Sequence, residues 1–149
     1  MIEQSIERLQ SLCDNIPGLL LEIDENTFSM KPNPEKWSKK EIIGHLIDSA
    51  TNNHHRFVRG QFEETPAITY DQNKWNQGNY YQLINSTQII SFWEAYNRQL
   101  LELINHLPKE KLNHNINVGT ENNPTIGFLI DDYVQHLEHH LKQVLEYSL

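Results

Sequence analysis

Four amphipathic stretches, each with apolar residues three and four positions apart, constrain this chain more than any other feature of its sequence. That spacing places the apolar side chains on one side of a helix. The stretches cover about residues 2–15, 38–61, 87–106 and 124–146, and little of the two-residue alternation typical of strands accompanies them. The predicted fold is therefore all-α: a four-helix bundle formed by a single domain of residues 1–149.

Turn and cap residues predict where the first two helices stop and start. Pro17-Gly18 ends or kinks the first helix, because proline supplies no backbone N–H and clashes with the preceding turn. Ser38 and Glu41 have the spacing of a capping box, in which each side chain bonds the backbone amide of the other residue. The second helix should therefore begin directly after Ser38.

Two polar segments separate the remaining helices. We expect residues 65–84, rich in Asn, Gln, Tyr and Trp, and residues 108–123, rich in Asn, to be loops. Pro124 suits the first position of a helix and Asn123 suits its N-cap, so the fourth helix should begin there. Connections of this length are compatible with a bundle of crossover topology.

The composition excludes several classes of function. Twelve Lys and Arg against twenty Asp and Glu give a formal net charge of −8, which disfavours binding to nucleic acid or to an anionic membrane surface. No strictly apolar run is longer than three residues, so no segment resembles a membrane span. Residues 1–4 lack the features of a secretory signal, and a single cysteine, Cys13, allows no intrachain disulfide. We expect a cytoplasmic protein.

Eight histidines are the unusual part of the composition, and three of them lie on the fourth helix. At 100° per residue, His136 and His140 fall together on the shoulder of the apolar stripe, whereas His139 falls on the solvent side. Side chains four residues apart stand about 5–6 Å from each other at Cβ, so two neutral imidazoles can chelate one divalent metal ion. The alternative is a pair of polar residues at the edge of the core.

The second helix offers His45, His54 and His55 as further metal ligands. Periodicity alone favours His54, which falls within the apolar stripe, whereas His45 falls nearly opposite, on a stripe that includes Asp48. That stripe is either a solvated face or the lining of a cleft, and the helical wheel does not decide between them. If it lines a cleft, Asp48 is placed one turn beyond His45 to orient the imidazole.

Two segments of the chain resemble a known family. Trp37-Ser38 followed by the segment 41–49, and the segment 132–143, are similar to the two signatures of the DinB-like superfamily, in its YfiT-like branch of metal-dependent hydrolases and thiol transferases. Tyr70, Asp71 and Trp75 also resemble that branch. The resemblance extends over about residues 30–145.

This resemblance implies an up-down-down-up bundle that binds one divalent metal ion through His45, His136 and His140. It therefore favours His45 where periodicity favours His54. Zinc or nickel is the first expectation, with iron or manganese as alternatives. The resemblance also implies a low-molecular-weight thiol as cosubstrate, a small-molecule substrate and a homodimer, and Asp48 is the candidate catalytic residue that supports the site from beyond the ligands.

Three neutral imidazoles leave coordination positions open, which is typical of catalytic rather than structural metal sites. A bound water would have its pKa lowered to about 7, and a bound thiol would be deprotonated. Both hydrolysis and thiol transfer to a small electrophile are therefore expected chemistries, and the ligands do not separate them. A non-catalytic metal- or ligand-binding bundle and a helical interaction domain without metal are the alternatives.

Overall fold

The computed structural model describes residues 2–146, and within this range four long helices form a bundle. Two short helices and two 3₁₀ turns lie in the connections between them. In chain order the helices are α1 (Ile2–Leu21), α2 (Glu25–Ser29), α3 (Lys39–Arg59), α4 (Gln72–Asn79), α5 (Ser86–His106) and α6 (Ile126–Leu145). The residues of the described range that pair as β-bridges do so only in isolated pairs, so the all-α prediction is confirmed.

Side-chain contacts between the long helices give their directions. Contacts of α1 with α6, and of α3 with α5, advance in the same direction along both helices, so each of these pairs is parallel. In the α1–α6 pair, Ser5 contacts Asp131 and Arg8 contacts Glu138. In the α3–α5 pair, Lys40 contacts the Ile84 carbonyl just before α5, and His54 contacts Tyr96 further along both helices.

The α3–α6 pair is antiparallel. His45, early in α3, lies beside His136, late in α6, whereas Gly60 at the end of α3 packs against Ile126 at the start of α6. With α1 pointing up, α3 and α5 point down and α6 points up, which is the predicted up-down-down-up order. Each of α1 and α3 packs against both α5 and α6, so α3 is covered on two sides.

The core lies between the four long helices. Its largest fully buried side chains include Trp93 of α5, Tyr133 of α6, Phe57 of α3 and Phe28 of α2. Each such side chain contributes about 1.5–3 kcal/mol to folding relative to an exposed position. No helix within residues 2–146 is long and apolar enough to cross a membrane.

The capping box that begins α3 is present as predicted. Ser38 Oγ accepts from the Glu41 amide at 3.0 Å, and Glu41 Oε1 accepts from the Ser38 amide at 3.0 Å. Lys31 Nζ also binds Glu41, at 2.9 Å, which ties the preceding connector to the helix. Because the cap fixes the first residue of α3, it also fixes the direction in which His45, about two turns into the helix, projects from the axis.

The prediction that α1 ends near residue 15 was wrong. The helix continues to Leu21 with Pro17 inside it. Pro17 cannot donate to the Cys13 carbonyl four residues earlier, but Arg98 Nη2 of α5 donates to that oxygen instead, at 3.0 Å. A contact from another helix thus satisfies the carbonyl that proline leaves without its normal partner.

Two further boundaries differ from the predictions. The expected loop 65–84 contains α4, which Asp71 begins by accepting from the Asn73 and Lys74 amides at 3.0 Å each. Helix α6 begins at Ile126 with Thr125 as its N-cap, not at Pro124 with Asn123. Pro124 stays extended, because its carbonyl accepts from the Ile116 amide at 2.9 Å.

Candidate metal centre

Three histidines predicted as metal ligands lie together where α3 faces α6. Ligand atoms of His45, His136 and His140 lie within 4.8 Å of one another, and among the residues that the structure describes no other group of three His, Cys, Asp or Glu side chains is arranged to hold a metal ion. His45 is buried, and the other two are half-buried at the edge of the bundle. Their side chains converge from two antiparallel helices, so the cluster exists only in the folded chain.

The spacing of the imidazoles is compatible with one shared metal ion. The Nε2 atoms of His45 and His136 are 3.1 Å apart. Two nitrogens bound to one Zn²⁺ at about 2.0–2.1 Å would be about 2.9 Å apart in octahedral and about 3.4 Å apart in tetrahedral geometry. The observed separation lies between these values, so the donor set fits a divalent cation without a large rearrangement.

Contacts behind the ligand atoms hold two of the rings. His140 Nδ1 donates to Gln143 Oε1 at 2.9 Å, which leaves Nε2 of that ring as the nitrogen with a free lone pair. The Trp37 ring packs 4.8 Å from the His45 ring. The Nδ1 atoms of His45 and His136 are buried without a hydrogen-bond partner among residues 2–146, so packing rather than a protein acceptor orients these two rings.

The electrostatics of the cluster favour neutral imidazoles. Burial, together with the neighbouring His136 and His140, lowers the pKa of His45 to about 3. Burial, together with His140 and His139, lowers the pKa of His136 to about 4, and burial also lowers the pKa of His140. Neutral rings keep the lone pairs that a metal ion requires, so the site is ready to bind a cation at neutral pH.

The histidines outside the cluster have other surroundings. His54, which periodicity favoured, lies away from the cluster: its Nδ1 is 2.9 Å from the Tyr96 hydroxyl of α5. His139 is exposed, as the helical wheel predicted. Periodicity favoured His54 because it assumes one buried face, whereas α3 is packed on both sides and its polar stripe, which includes His45, is also buried.

Asp48 is buried one turn beyond His45, but its hydrogen bonds go to other residues. Its Oδ1 accepts from the Tyr81 hydroxyl at 2.6 Å and from Asn79 Nδ2 at 2.8 Å, whereas Oδ2 has no partner among residues 2–146. Burial raises the pKa of Asp48 to about 6 despite these two bonds. The predicted contact with His45 is thus absent from the hydrogen bonds of the described residues, and the role of Asp48 stays a prediction.

Several residues of the site had no assigned role in the sequence-based prediction. Tyr81 reaches Asp48 because its ring packs on the backbone of Gly44, where an added Cβ would lie 2.2 Å from the ring. A glycine inside a helix is the sequence signal of such close packing. Trp37 belongs to the segment that resembles the family, but its packing against His45 was not predicted, and nothing about Gln143, three residues after His140, indicated a role.

Comparison with known proteins connects this geometry to a family. The model of the DinB superfamily matches residues 1–144. The chain belongs to this superfamily. The resemblance noted in the sequence is therefore confirmed.

Similar proteins share most of the length of the chain. YfiT of Bacillus subtilis, named as a candidate metal-dependent hydrolase, is 24% identical over 152 residues, covering 98% of this chain and 85% of its own. A candidate metal-dependent hydrolase of Bacillus cereus is 21% identical over 145 residues, covering 97% of this chain and 83% of its own.

Solved structures confirm the architecture. The structure of YfiT, described as an unusual four-helix bundle, superposes with a TM-score of 0.86 at 20% identity, over 97% of this chain and 83% of YfiT. A mycothiol-dependent maleylpyruvate isomerase superposes with a TM-score of 0.79 at 14% identity, over 97% of this chain and 60% of the isomerase. At these identities the superpositions establish the fold of this member of the DinB superfamily.

Proposed function

We propose that this chain is a divalent-metal-dependent enzyme that acts on a small electrophile, by hydrolysis or by transfer to a low-molecular-weight thiol. The observation that carries the proposal is the convergence of His45, His136 and His140, with their ligand atoms within 4.8 Å of one another. In this proposal the three imidazoles hold one zinc or nickel ion, with iron or manganese as alternatives.

The donor set suits a catalytic rather than a structural role. Structural zinc sites are usually closed by four protein ligands, whereas three ligands leave room for a reactant. A divalent cation bound by these imidazoles would supply Lewis acidity, which lowers the pKa of a coordinated water or thiol. The half-buried position of His136 and His140 leaves an approach from solvent.

Residues of this chain beyond the three histidines have distinct tasks in the proposal. The Trp37 ring, 4.8 Å from His45, holds that imidazole in place by packing and excludes water from its outer side. Gln143 accepts from His140 Nδ1 and thereby directs Nε2 toward the cluster. Asp48 keeps a buried carboxylate oxygen without a partner, and we assign it the task of accepting a proton near the reacting groups.

The relatives support both branches of the proposed chemistry. Two bacillary relatives are named for metal-dependent hydrolysis, in which water attacks the substrate. A structural neighbour is named for mycothiol-dependent isomerisation, in which a thiol takes part. A homodimer, expected from the resemblance, stays part of the proposal and is tested by sedimentation of the purified protein. A cytoplasmic location, expected from the cysteine usage, also stays part of it.

Metal content of the purified protein tests the proposal directly. Protein prepared without a histidine tag should contain close to one equivalent of a divalent metal, and His45→Ala and His136→Ala should each lose it. His139→Ala and His54→Ala are matched controls, because His139 is exposed and His54 contacts Tyr96 instead of the cluster. Metal content that is unaffected by His45→Ala would contradict the assignment of the ligands.

A spectroscopic titration then separates the two chemistries. Cobalt(II) replaces the native ion, and a thiol that binds at the metal produces a sulfur-to-metal charge-transfer band. Appearance of this band on adding glutathione, and its absence in His136→Ala, would support thiol transfer. Turnover of ester or amide substrates without any thiol would support hydrolysis. Metal binding with no turnover by either route would identify a non-catalytic binding bundle.

A further inference from the structure

A second cavity lies between α3, α6 and the loop that precedes α6, and it includes none of the three clustered histidines. Its volume is about 720 Å³. Val118, Phe128 and Leu129 line it together with the Arg56 guanidinium, the Asp132 carboxylate and polar Thr and Asn residues of the loop before α6, and most of the accessible wall is apolar. A cavity with a mostly apolar wall and a few polar groups is the usual form of a small-molecule site.

Arg56 differs from the other arginines of the chain in having no acidic partner within the part of the chain that the structure describes. Arg8, Arg59 and Arg98 each form an ion pair with Asp or Glu, whereas Arg56 forms none within residues 2–146. Its guanidinium donates to the Ile68 carbonyl at 2.9 and 3.2 Å and to Asn53 Oδ1 at 3.3 Å. These bonds fix the group in place and leave at least two of its five N–H donors free.

The position of Arg56 makes its positive charge costly in free energy unless an anion pairs with it. The residue is half-buried, and its guanidinium lies 5.9 Å from the centre of the Tyr70 ring. Burial lowers the pKa of Arg56, with Tyr70 and Asp132 opposing that shift. A partly buried charge is usually paired, so a guanidinium held by neutral groups beside a cavity is well placed to bind an anion from outside the chain.

Asp132 places a negative charge in the same cavity. It is exposed, and within residues 2–146 it forms neither an ion pair nor a side-chain hydrogen bond. Asp132 and Arg56 line the same cavity, but no oxygen of the Asp132 carboxylate comes within ion-pair distance of the Arg56 guanidinium. The cavity therefore presents a cation and an anion that are separated from each other.

We propose that this cavity binds the α-amino acid group of a small ligand, with Arg56 taking the carboxylate and Asp132 taking the ammonium. An α-amino acid carries an ammonium and a carboxylate on the same carbon, so the two charges are close but separate and complement a separated guanidinium and carboxylate. Phe128, Val118 and Leu129 then provide an apolar surface for the remainder of the ligand.

The cavity and the histidine cluster share two helices. On α3, Arg56 lies about 20° from His45 around the axis and about 16 Å further along it. On α6, Asp132 lies one turn before His136. If the bound amino acid group is one end of the substrate of the metal centre, that role rests on the proposed metal-dependent function. Binding of the amino acid group itself does not rest on it.

Four matched probes test the proposal on metal-free protein. L-phenylalanine carries both charges, 3-phenylpropionate only the carboxylate, phenethylamine only the ammonium, and 3-phenylpropanol neither. Binding is followed by ¹H–¹⁵N chemical shifts of residues 118–132. We expect L-phenylalanine to bind about tenfold or more tightly than either singly charged probe, and 3-phenylpropanol to bind weakest.

Variants assign each charge to its partner. Asp132→Asn should weaken the binding of L-phenylalanine and phenethylamine about tenfold and leave the binding of 3-phenylpropionate unchanged or tighter. Arg56→Gln should weaken the binding of L-phenylalanine and 3-phenylpropionate about tenfold and leave that of phenethylamine unchanged or tighter. Arg59→Gln is the control, because Arg59 lies on the same helix but pairs with Glu63. Since Arg56 also holds the Ile68 carbonyl, Asp132→Asn, at an exposed side chain without such contacts, keeps the test valid if Arg56→Gln misfolds.

The outcomes separate this proposal from the metal proposal. Equal binding of all four probes, or no binding at millimolar concentration, would overturn the amino acid site whatever the metal content. Preference for 3-phenylpropionate over L-phenylalanine would show an anion site only and would also overturn it. Conversely, L-phenylalanine could bind as expected while the protein as purified contains no metal. That result would support the amino acid site and refute the metal-dependent function.

Discussion

The two faces of α3 are buried to the same degree but differ in what their side chains contact. On one face Ile43, Leu46 and Phe57 are fully buried in the core. On the other, His45 and Asp48 are each 1% exposed, yet His45 Nδ1 and Asp48 Oδ2 have no hydrogen-bond partner among residues 2–146. Buried polar atoms are usually hydrogen-bonded, so the face that contains these exceptions is the one we assign to ligands rather than to stability.

Substitutions on the two faces should give the largest contrast. Leu46→Ala should lower the free energy of unfolding by about 2–5 kcal/mol, because it removes a fully buried side chain and leaves a cavity. His45→Ala in metal-free protein should cost much less, because the imidazole it removes has a buried nitrogen without a partner. Urea denaturation measures both values. Equal losses would show that the His45 face also contributes mainly to stability.

Metal binding should stabilise the protein only through the second face. At zinc concentrations of about 100 times the dissociation constant, the free energy of unfolding should rise by about 2.7 kcal/mol. The increase should vanish in His136→Ala and persist in His139→Ala, because only the first of these belongs to the cluster. Thermal unfolding with and without zinc measures the effect, and stabilisation of both variants would place the metal elsewhere.

Asp48, on the second face, should make the free energy of unfolding of the protein depend on pH. Its pKa is raised to about 6 in the folded protein, mainly by burial, so the folded form binds a proton more tightly than the unfolded chain. The associated stability is complete below pH about 4 and is lost as pH rises through 6. Asp48→Asn should remove this loss and gain about 2 kcal/mol on wild type between pH 4 and pH 7.

Urea denaturation of metal-free wild type and Asp48→Asn at these two pH values measures that difference. Asn can still accept from Tyr81 and Asn79 through its amide oxygen, so the bonds at Oδ1 are retained. A difference that does not change with pH would mean that the Asp48 pKa is not raised by folding.

The smallest effect is expected at His54, which lies outside both the core face and the histidine cluster. Tyr96→Phe removes the hydroxyl that lies 2.9 Å from His54 Nδ1 and should lower the free energy of unfolding by about 1 kcal/mol. Metal content should not change. Loss of metal in Tyr96→Phe would show that His54 takes part in the site, as periodicity alone had favoured.

Local signals predicted much of this architecture. Ser38 and Glu41 form the expected capping box, since its hydrogen bonds involve only residues three apart. The exposure of His139 also followed from the helical period. The start of α6 did not follow, because a hydrogen bond from Ile116, distant in sequence, holds the Pro124 carbonyl in an extended segment. In the same way, Arg98 allows α1 to continue past Pro17.

By itself the sequence determined four amphipathic helices, their approximate limits and the shared face of His136 and His140, because each depends on residues a few positions apart. The resemblance to the DinB superfamily added His45, which periodicity did not favour. Only the tertiary structure decided that the polar face of α3 is buried, against α6 at His45 and against Asn79 and Tyr81 at Asp48. It also decided that Arg56 has no acidic partner among residues 2–146. These features depend on contacts between residues tens of positions apart, and a helical period carries no information about which neighbour covers each face.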